Sequence, residues 1–239
     1  MNRSLGSSED RLVATAEVPT SAVIFGLPNQ TASSLKYKKP LYQAIKRSLD
    51  VGVSALILLL LLPAFALIAI LISLSDGFPV MIRHRRVGQN GKEMHILKFR
   101  TMVRNAESVL QSHPELLAKF EKNFKLDADP RVTKMGCWLR QTSIDEFPQL
   151  INVICGDMSL VGPRPIVEAE LEKYGEDCEA YLAMKPGCAG LWQCSGRSRT
   201  TYEERVALDA LYFETASTSL DIQIILRTFV SMLKRDGAC

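Results

Sequence analysis

This sequence has few residues suited to a structural metal or a disulfide framework. Its six cysteines, Cys137, Cys155, Cys178, Cys188, Cys194 and Cys239, include no C-x-x-C spacing, and its three histidines, His84, His95 and His113, fall nowhere near them. That pattern favours mostly reduced, cytosolic thiols over a zinc or disulfide framework. The charge balance lacks a strong sign: 29 Lys and Arg against 26 acids leave a net +3. Nucleic-acid binding finds no support there, whereas a basic face near anionic lipid stays open. No short apolar segment with a small-residue cleavage site precedes residue 50, so a secretory signal is not expected. The glycine-rich loop from Lys185 to Gln193 is not a G-x-G-x-x-G fingerprint. With 239 residues there is room for one globular domain, or one with an anchor and a tail, but not for two large domains.

The most informative absence is that of charge from Val51 to Ser75, VGVSALILLLLLPAFALIAILISLS. A run of that length belongs in a membrane. A single spanning helix is the simple reading. Against it stand Pro63, which removes a backbone donor near the middle and clashes with the preceding turn, and basic residues on both flanks: Lys36, Lys38, Lys39, Lys46 and Arg47 before, Arg83, His84, Arg85 and Arg86 after. Positive residues stay on the cytoplasmic side, so the sequence favours a re-entrant hairpin broken at Pro63. Residues 1–40 are rich in Ser, Thr, Ala and Pro without hydrophobic period and are expected to be a mobile tail. The division is therefore a 1–40 tail, a 41–76 membrane hairpin and a 77–239 cytoplasmic domain. The expected fold is mostly α with short β segments, its catalytic domain compact and carrying amphipathic interfacial helices.

Beyond Gly77, the turn Gln89-Asn90-Gly91 and the partly alternating run Met94 to Phe99 predict two short strands. Lys98 and Arg100 would share one side of a strand, as a solvated basic edge or as a phosphate or head-group site. Leu117, Phe120 and Phe124 recur at helical spacing. Asp127-Ala128-Asp129 resembles a D-x-D metal motif, but Asp129-Pro130-Arg131 reads better as a turn. Helices are expected from Tyr202 to Phe213, with Val206, Ala210 and Phe213 on one face, and from Leu220 to Leu233, the latter against protein and membrane surface.

From Gln141 to Pro165 the chain concentrates an adjacent carboxylate pair, Asp145 and Glu146, a Gly-Asp pair and the proline-locked Arg164. Ser143 and Glu146 fit a capping box, the structural alternative for the acids. Pro148 sits where that helix would want an amide donor, so the turn is expected to be irregular.

Taken in order, KRSLD (Lys46 to Asp50), RVG (Arg86 to Gly88), KFRTM (Lys98 to Met102), DPRVT (Asp129 to Thr133), LRQTSIDEFPQLINV (Leu139 to Val153), GDMSLVGPRP (Gly156 to Pro165), KPGCAGLWQCSGR (Lys185 to Arg197) and Leu208-Asp209 resemble the bacterial sugar transferase family over about residues 40 to 239. These are monotopic polyprenyl-phosphate sugar-1-phosphate transferases. The resemblance implies transfer of hexose 1-phosphate from a UDP-hexose to undecaprenyl phosphate at the cytoplasmic membrane face of a bacterium, releasing UMP and initiating exopolysaccharide assembly. It also implies that Asp145 is the nucleophile, that Glu146 helps hold Mg²⁺, that Lys98 lies beside the acids and that Arg140, Arg164 and Arg100 contact phosphate. Gln193 and Arg197 become candidates for nucleotide or sugar contact. Phe147, and PGCAGLWQ where many members read PG-I-T-G, depart from the usual pattern and weaken that last inference. The variant around His84 to Gly88 favours galactose or glucose. Direct single displacement, with Asp145 as base or metal ligand, stays open, as does a non-catalytic membrane adaptor. The last helix is also compatible with a homodimer.

Overall fold

The uncharged run forms most of a 37-residue helix, α1 (Pro40–Asp76), in a computed structural model that describes Tyr37, Leu126 and residues 39–123, 129–195 and 200–233. Residues 1–36 of the expected tail, Phe124, Asp127 and Arg197 lie outside the described residues. Pro40 opens α1 at a position whose amide would be unpaired anyway. Gly77 closes it at φ 72°, its amide donating to Ser73 O at 3.0 Å. Pro63 lies inside the helix rather than at a gap in it. Leucine and alanine on both sides favour the helix and carry it past the missing donor.

Both ends of α1 are fastened to the same folded body. Near its start, Arg47 donates to the carbonyls of Val153 and Ile154 at 2.6 and 2.8 Å, and Asp50 Oδ1 accepts from the amide of Leu160 at 2.9 Å. Lys46 pairs with Asp221 at 3.1 Å, and Tyr42 donates to the same carboxylate at 2.9 Å. Towards its end, Phe65, Ile68 and Ile72 are buried against Phe99 and Leu139, and the Phe65 and Phe99 rings meet edge to face with centroids 5.2 Å apart. The outward side chains, among them Leu59, Leu60, Leu62 and Leu74, are largely exposed. Leaving each such leucine in water forgoes about 2 kcal/mol, so this face is built for lipid. Among the described residues this is the one helix long and apolar enough to cross a membrane.

The rest is mostly helical with short strands. Strands β1 (Met81–Val87) and β2 (Glu93–Phe99) form an antiparallel hairpin around Gln89-Asn90-Gly91, as the turn residues predict. Then come α2 (Ala106–Gln111), α3 (Pro114–Asn123), α4 (Lys134–Gln141) and α5 (Gln149–Cys155). Strand β3 (Ser159–Val161) pairs in parallel with β4 (Gly187–Ala189), and between them lie an irregular 3-10 stretch (Glu168–Asp177) and α6 (Cys178–Ala183). Helices α7 (Tyr202–Thr215) and α8 (Thr218–Leu233) complete the chain, matching the two expected C-terminal helices. On α7, Val206 and Phe213 are buried and Ala210 half-buried. Ile222, Leu226, Phe229 and Val230 of α8 are exposed as well.

Two contacts fix α5 and the Arg164 loop in place. Asn152 of α5 donates to His95 O at 2.8 Å and accepts from the Leu97 amide at 3.0 Å, clamping α5 to β2. Gly162 and Gly187 pack back to back: a Cβ on Gly187 would overlap the Gly162 backbone, and one on Gly162 would overlap Lys185 O. This close approach, with the Gly187 amide donating to Pro163 O at 2.8 Å, lays the Arg164 loop beside β4.

Candidate active site

The acid pair sits in an irregular turn, as Pro148 predicts. Ser143 adopts a left-handed conformation at φ 55°, a 3-10 turn covers Ile144–Glu146, and α5 starts only after Pro148. Ser143 makes no side-chain cap, so the capping-box alternative is not realised. The turn instead presents two consecutive carboxylates side by side, with Asp145 only 8% exposed and Glu146 half-exposed.

Lys98 reaches Glu146 Oε1 at 2.5 Å, bringing together residues 48 positions apart. No side chain among the described residues donates a hydrogen bond to Asp145. Burial and then the neighbouring Glu146 charge push its carboxyl up to about 6, against the opposing pull of Lys98 and Arg140. At neutral pH it is mostly ionised and desolvated, bonded to its own backbone amide and to no side chain among the described residues, which suits a nucleophile.

A cleft of about 620 Å³, open mouth included, runs from this turn. Glu146, Lys98 and Gln149 line it together with Ile96, Arg86, Arg164, Pro165, Gly187, Cys188, Trp192 and Gln193. Burial raises the Cys188 thiol, keeping it protonated and unreactive. Gln193, a sequence candidate, has a buried Oε1 without a donor. Arg164 also lines the cleft, over the Trp192 ring at 6.0 Å, and its carbonyl accepts from the Tyr181 hydroxyl at 3.1 Å. Arg140 stays beside the acids without lining the cleft, its Nε donating to Thr101 Oγ1 at 2.9 Å.

Arg100 departs from the sequence reading. Its buried guanidinium donates to Gly77 O at 2.5 Å, at the end of the membrane helix, and it does not line the cleft. Strand β2 ends at Phe99, so the shared side expected for Lys98 and Arg100 is not used to place both by the acids. Asp129 accepts from the Arg131 guanidinium at 2.8 and 2.7 Å, which is the turn reading. The sequence reading assigned no site role to Arg86, Gln149 or Trp192. All three lie within quoted motifs, but nothing in the sequence shows that they converge.

A magnesium ion fits this donor set only in part-protein form. No cluster of three or more His, Cys, Asp and Glu exists among the described residues. Two adjacent carboxylates, Glu146 raising the proton affinity of Asp145, can share a cation whose remaining positions are phosphate oxygens and water.

The profile of the bacterial sugar transferase family matches residues 41–235. A UDP-galactose-lipid carrier transferase of Erwinia amylovora is 46% identical over 198 residues, covering 81% of this chain and 41% of that protein. The exopolysaccharide production protein ExoY of Sinorhizobium fredii is 41% identical over 223 residues, 92% of this chain and 97% of that protein. A UDP-glucose:undecaprenyl-phosphate glucose-1-phosphate transferase of Escherichia coli K12 is 38% identical over 192 residues, 77% of this chain and 39% of that protein. The chain thus spans about two fifths of the first and third relatives and nearly all of the second.

Proposed function

The chain belongs to the bacterial sugar transferase family, and from that premise we propose that it moves hexose 1-phosphate from a UDP-hexose, galactose or glucose, to undecaprenyl phosphate, as an early membrane step of exopolysaccharide synthesis. The observation that carries this reading is the buried Asp145, without a side-chain donor, next to Glu146, whose pair with Lys98 lines one end of a cationic cleft that Asp145 adjoins without lining.

In the first half-reaction an Asp145 carboxylate oxygen attacks the phosphorus bearing the hexose. The bond from that phosphorus to the bridging oxygen breaks, and UMP leaves with the electron pair. In the second, an oxygen of undecaprenyl phosphate attacks the same phosphorus, and the bond to Asp145 breaks to restore the carboxylate. Negative charge spreads over phosphoryl oxygens in both, so fixed cations serve the reaction more than acid-base groups do. Lys98 and Arg140 stand where that charge develops. Magnesium held by Glu146, with Asp145 beside it, would supply further charge neutralisation on the diphosphate.

A single displacement is the second reading. It is favoured by the Asp145 carboxyl being raised to about 6, near what a base at neutral pH needs. Incubation with UDP-hexose labelled in the hexosyl phosphate, without lipid acceptor, separates the two. Label retained on wild type and lost in Asp145→Asn supports the covalent route; no label on a preparation that turns over with lipid supports direct transfer. A panel of UDP-sugars names the hexose.

The anchor reading rests on the two-ended fastening of α1. Packing of α1 on one folded body near Tyr42 and again near Ile72, without a break at Pro63, supports an anchor held on one side of the bilayer, here the cytoplasmic one. Tags placed before residue 40 and between 76 and 90 are expected to be accessible from one side; opposite sides would require a spanning helix.

A further inference from the structure

Arg86 is half-buried, lines the cleft, and makes no ion pair among the described residues; its side chain donates a hydrogen bond only to the Arg85 carbonyl, at 2.7 Å. Among its charged neighbours another cation, Arg164, acts on it most strongly, ahead of Glu170 and Glu146. Arg164 likewise makes no ion pair among the described residues, and Trp192 carries Arg205 at 4.6 Å as well as Arg164 at 6.0 Å from its ring. Two guanidiniums brought together in a partly desolvated cleft repel one another, and an anion between them reverses the sign of that interaction.

The hairpin register orders these cations. Arg86 lies opposite Met94 and Lys98 opposite Ile82, all on one face of the antiparallel pair. Met94 and Lys98 are four residues apart on β2, about 13 Å along the strand. Lys98 is engaged with Glu146, while Arg86 lines the cleft together with Arg164 and Trp192. The cleft therefore has an acid end and a guanidinium end.

Resting on the reading of UDP-hexose as donor, we infer that Arg86 is a further substrate-binding residue that grips, with Arg164, the phosphate that leaves with the nucleotide. The cleft then takes its donor in one orientation, transferred phosphorus at Asp145 and nucleotide phosphate between Arg86 and Arg164. Arginine suits this role because its planar fork contacts two phosphate oxygens at once, which lysine cannot reproduce.

The test is equilibrium binding of UMP and of UDP to the full chain in lipid nanodiscs, using wild type, Arg86→Ala, Arg86→Lys and Arg83→Ala. Arg83 is exposed and lies on the opposite face of β1, so its variant is expected to bind both as wild type does. Arg86→Ala is expected to weaken UMP and UDP alike by roughly 10- to 100-fold, the range for hydrogen bonds to charged groups, with Arg86→Lys in between. In turnover its effect should fall on KM for UDP-hexose more than on kcat. Undiminished UMP binding by Arg86→Ala, or a loss confined to UDP, overturns the assignment. Thermal unfolding checks that the alanine variant is folded, and if it is not, the lysine variant decides by the same criterion. Failure of wild type to bind either nucleotide overturns the donor reading as well, whereas wild-type binding without an Arg86 effect overturns this assignment alone.

Discussion

Asp145 and Asp209 are both buried carboxylates, at 8% and 2% exposure, and both are raised by desolvation, to about 6 and about 7. Their surroundings differ in kind. Asp209 accepts from the Tyr174 hydroxyl at 2.9 Å inside a cluster of Val87, Ile166, Tyr174, Tyr181 and Val206. Asp145 receives no side-chain donor among the described residues and sits beside a second acid, with Lys98 and Arg140 at hand. A buried acid with a dedicated side-chain donor fixes a fold, whereas one left with only a backbone donor beside fixed cations is available to a substrate.

The sharpest way to break this contrast is to neutralise each acid in turn. Asp145→Asn should lower transfer by about 10⁴-fold or more, the scale on which loss of a nucleophile is felt. Asp209→Asn should leave transfer within about tenfold, since a neutral amide can still accept from Tyr174. Their effects on stability should agree in sign. Because the folded carboxyl of each is raised, its favourable contribution is complete below the unfolded value near 3.8 and is lost as pH rises through about 6 for Asp145 and about 7 for Asp209. Asp145→Asn is therefore expected to stabilise the protein at pH 7.5, by up to roughly 3 kcal/mol. Thermal unfolding of the variants, alongside initial rates of UMP release, checks both statements. Comparable losses of transfer in the two variants would dissolve the distinction.

Lys98→Met should come next, lowering transfer by about 10²- to 10³-fold, as loss of one charge-stabilising donor does. It also removes a charge that holds the Asp145 carboxyl down, so the acid limb of the rate profile should move to higher pH. In wild type that limb is expected near pH 6, with rates falling about tenfold per unit below it. Glu146→Gln removes the charge that raises Asp145 and should shift the limb the other way, whatever it does to the maximum rate. Initial rates between pH 5 and 8 measure all three profiles, and limbs moving together in the two variants would mean that the titrating group is not Asp145.

Much of this was legible in residues 141–165, where acids, glycines and prolines crowd together, and Pro148 alone forecast the irregular turn. The strands were marked by their alternation and by Gln89-Asn90-Gly91. What escaped was convergence at long range. Trp192 and Gln149 reach the cleft only because the Gly162–Gly187 approach and the Asn152 clamp bring α5, β2 and β4 together. Arg100 escaped for a local reason: two residues beyond Lys98, its side chain is drawn to a backbone carbonyl at the end of α1. Pro63 shows the converse, a strong local signal carried through by helix formers on both sides.

The smallest effect on transfer is expected from Tyr174→Phe, and it bears on the other half of the comparison. Removing the hydroxyl leaves Asp209 buried without its side-chain donor while keeping the ring against Tyr181, whose centroid lies 4.6 Å away. Loss of a buried acceptor's partner costs about 1–3 kcal/mol. The hydroxyl also holds the Asp209 carboxyl down against desolvation, so without it the carboxyl should rise further and stay protonated to higher pH. The destabilisation should therefore be larger above pH 7, where wild-type Asp209 ionises and the hydroxyl supports the charge, and smaller near pH 5, where both proteins carry a neutral acid. Thermal unfolding at those two pH values reads the difference. A loss of stability that is the same at both would mean that Tyr174 supports the cluster through its ring rather than by holding the acid.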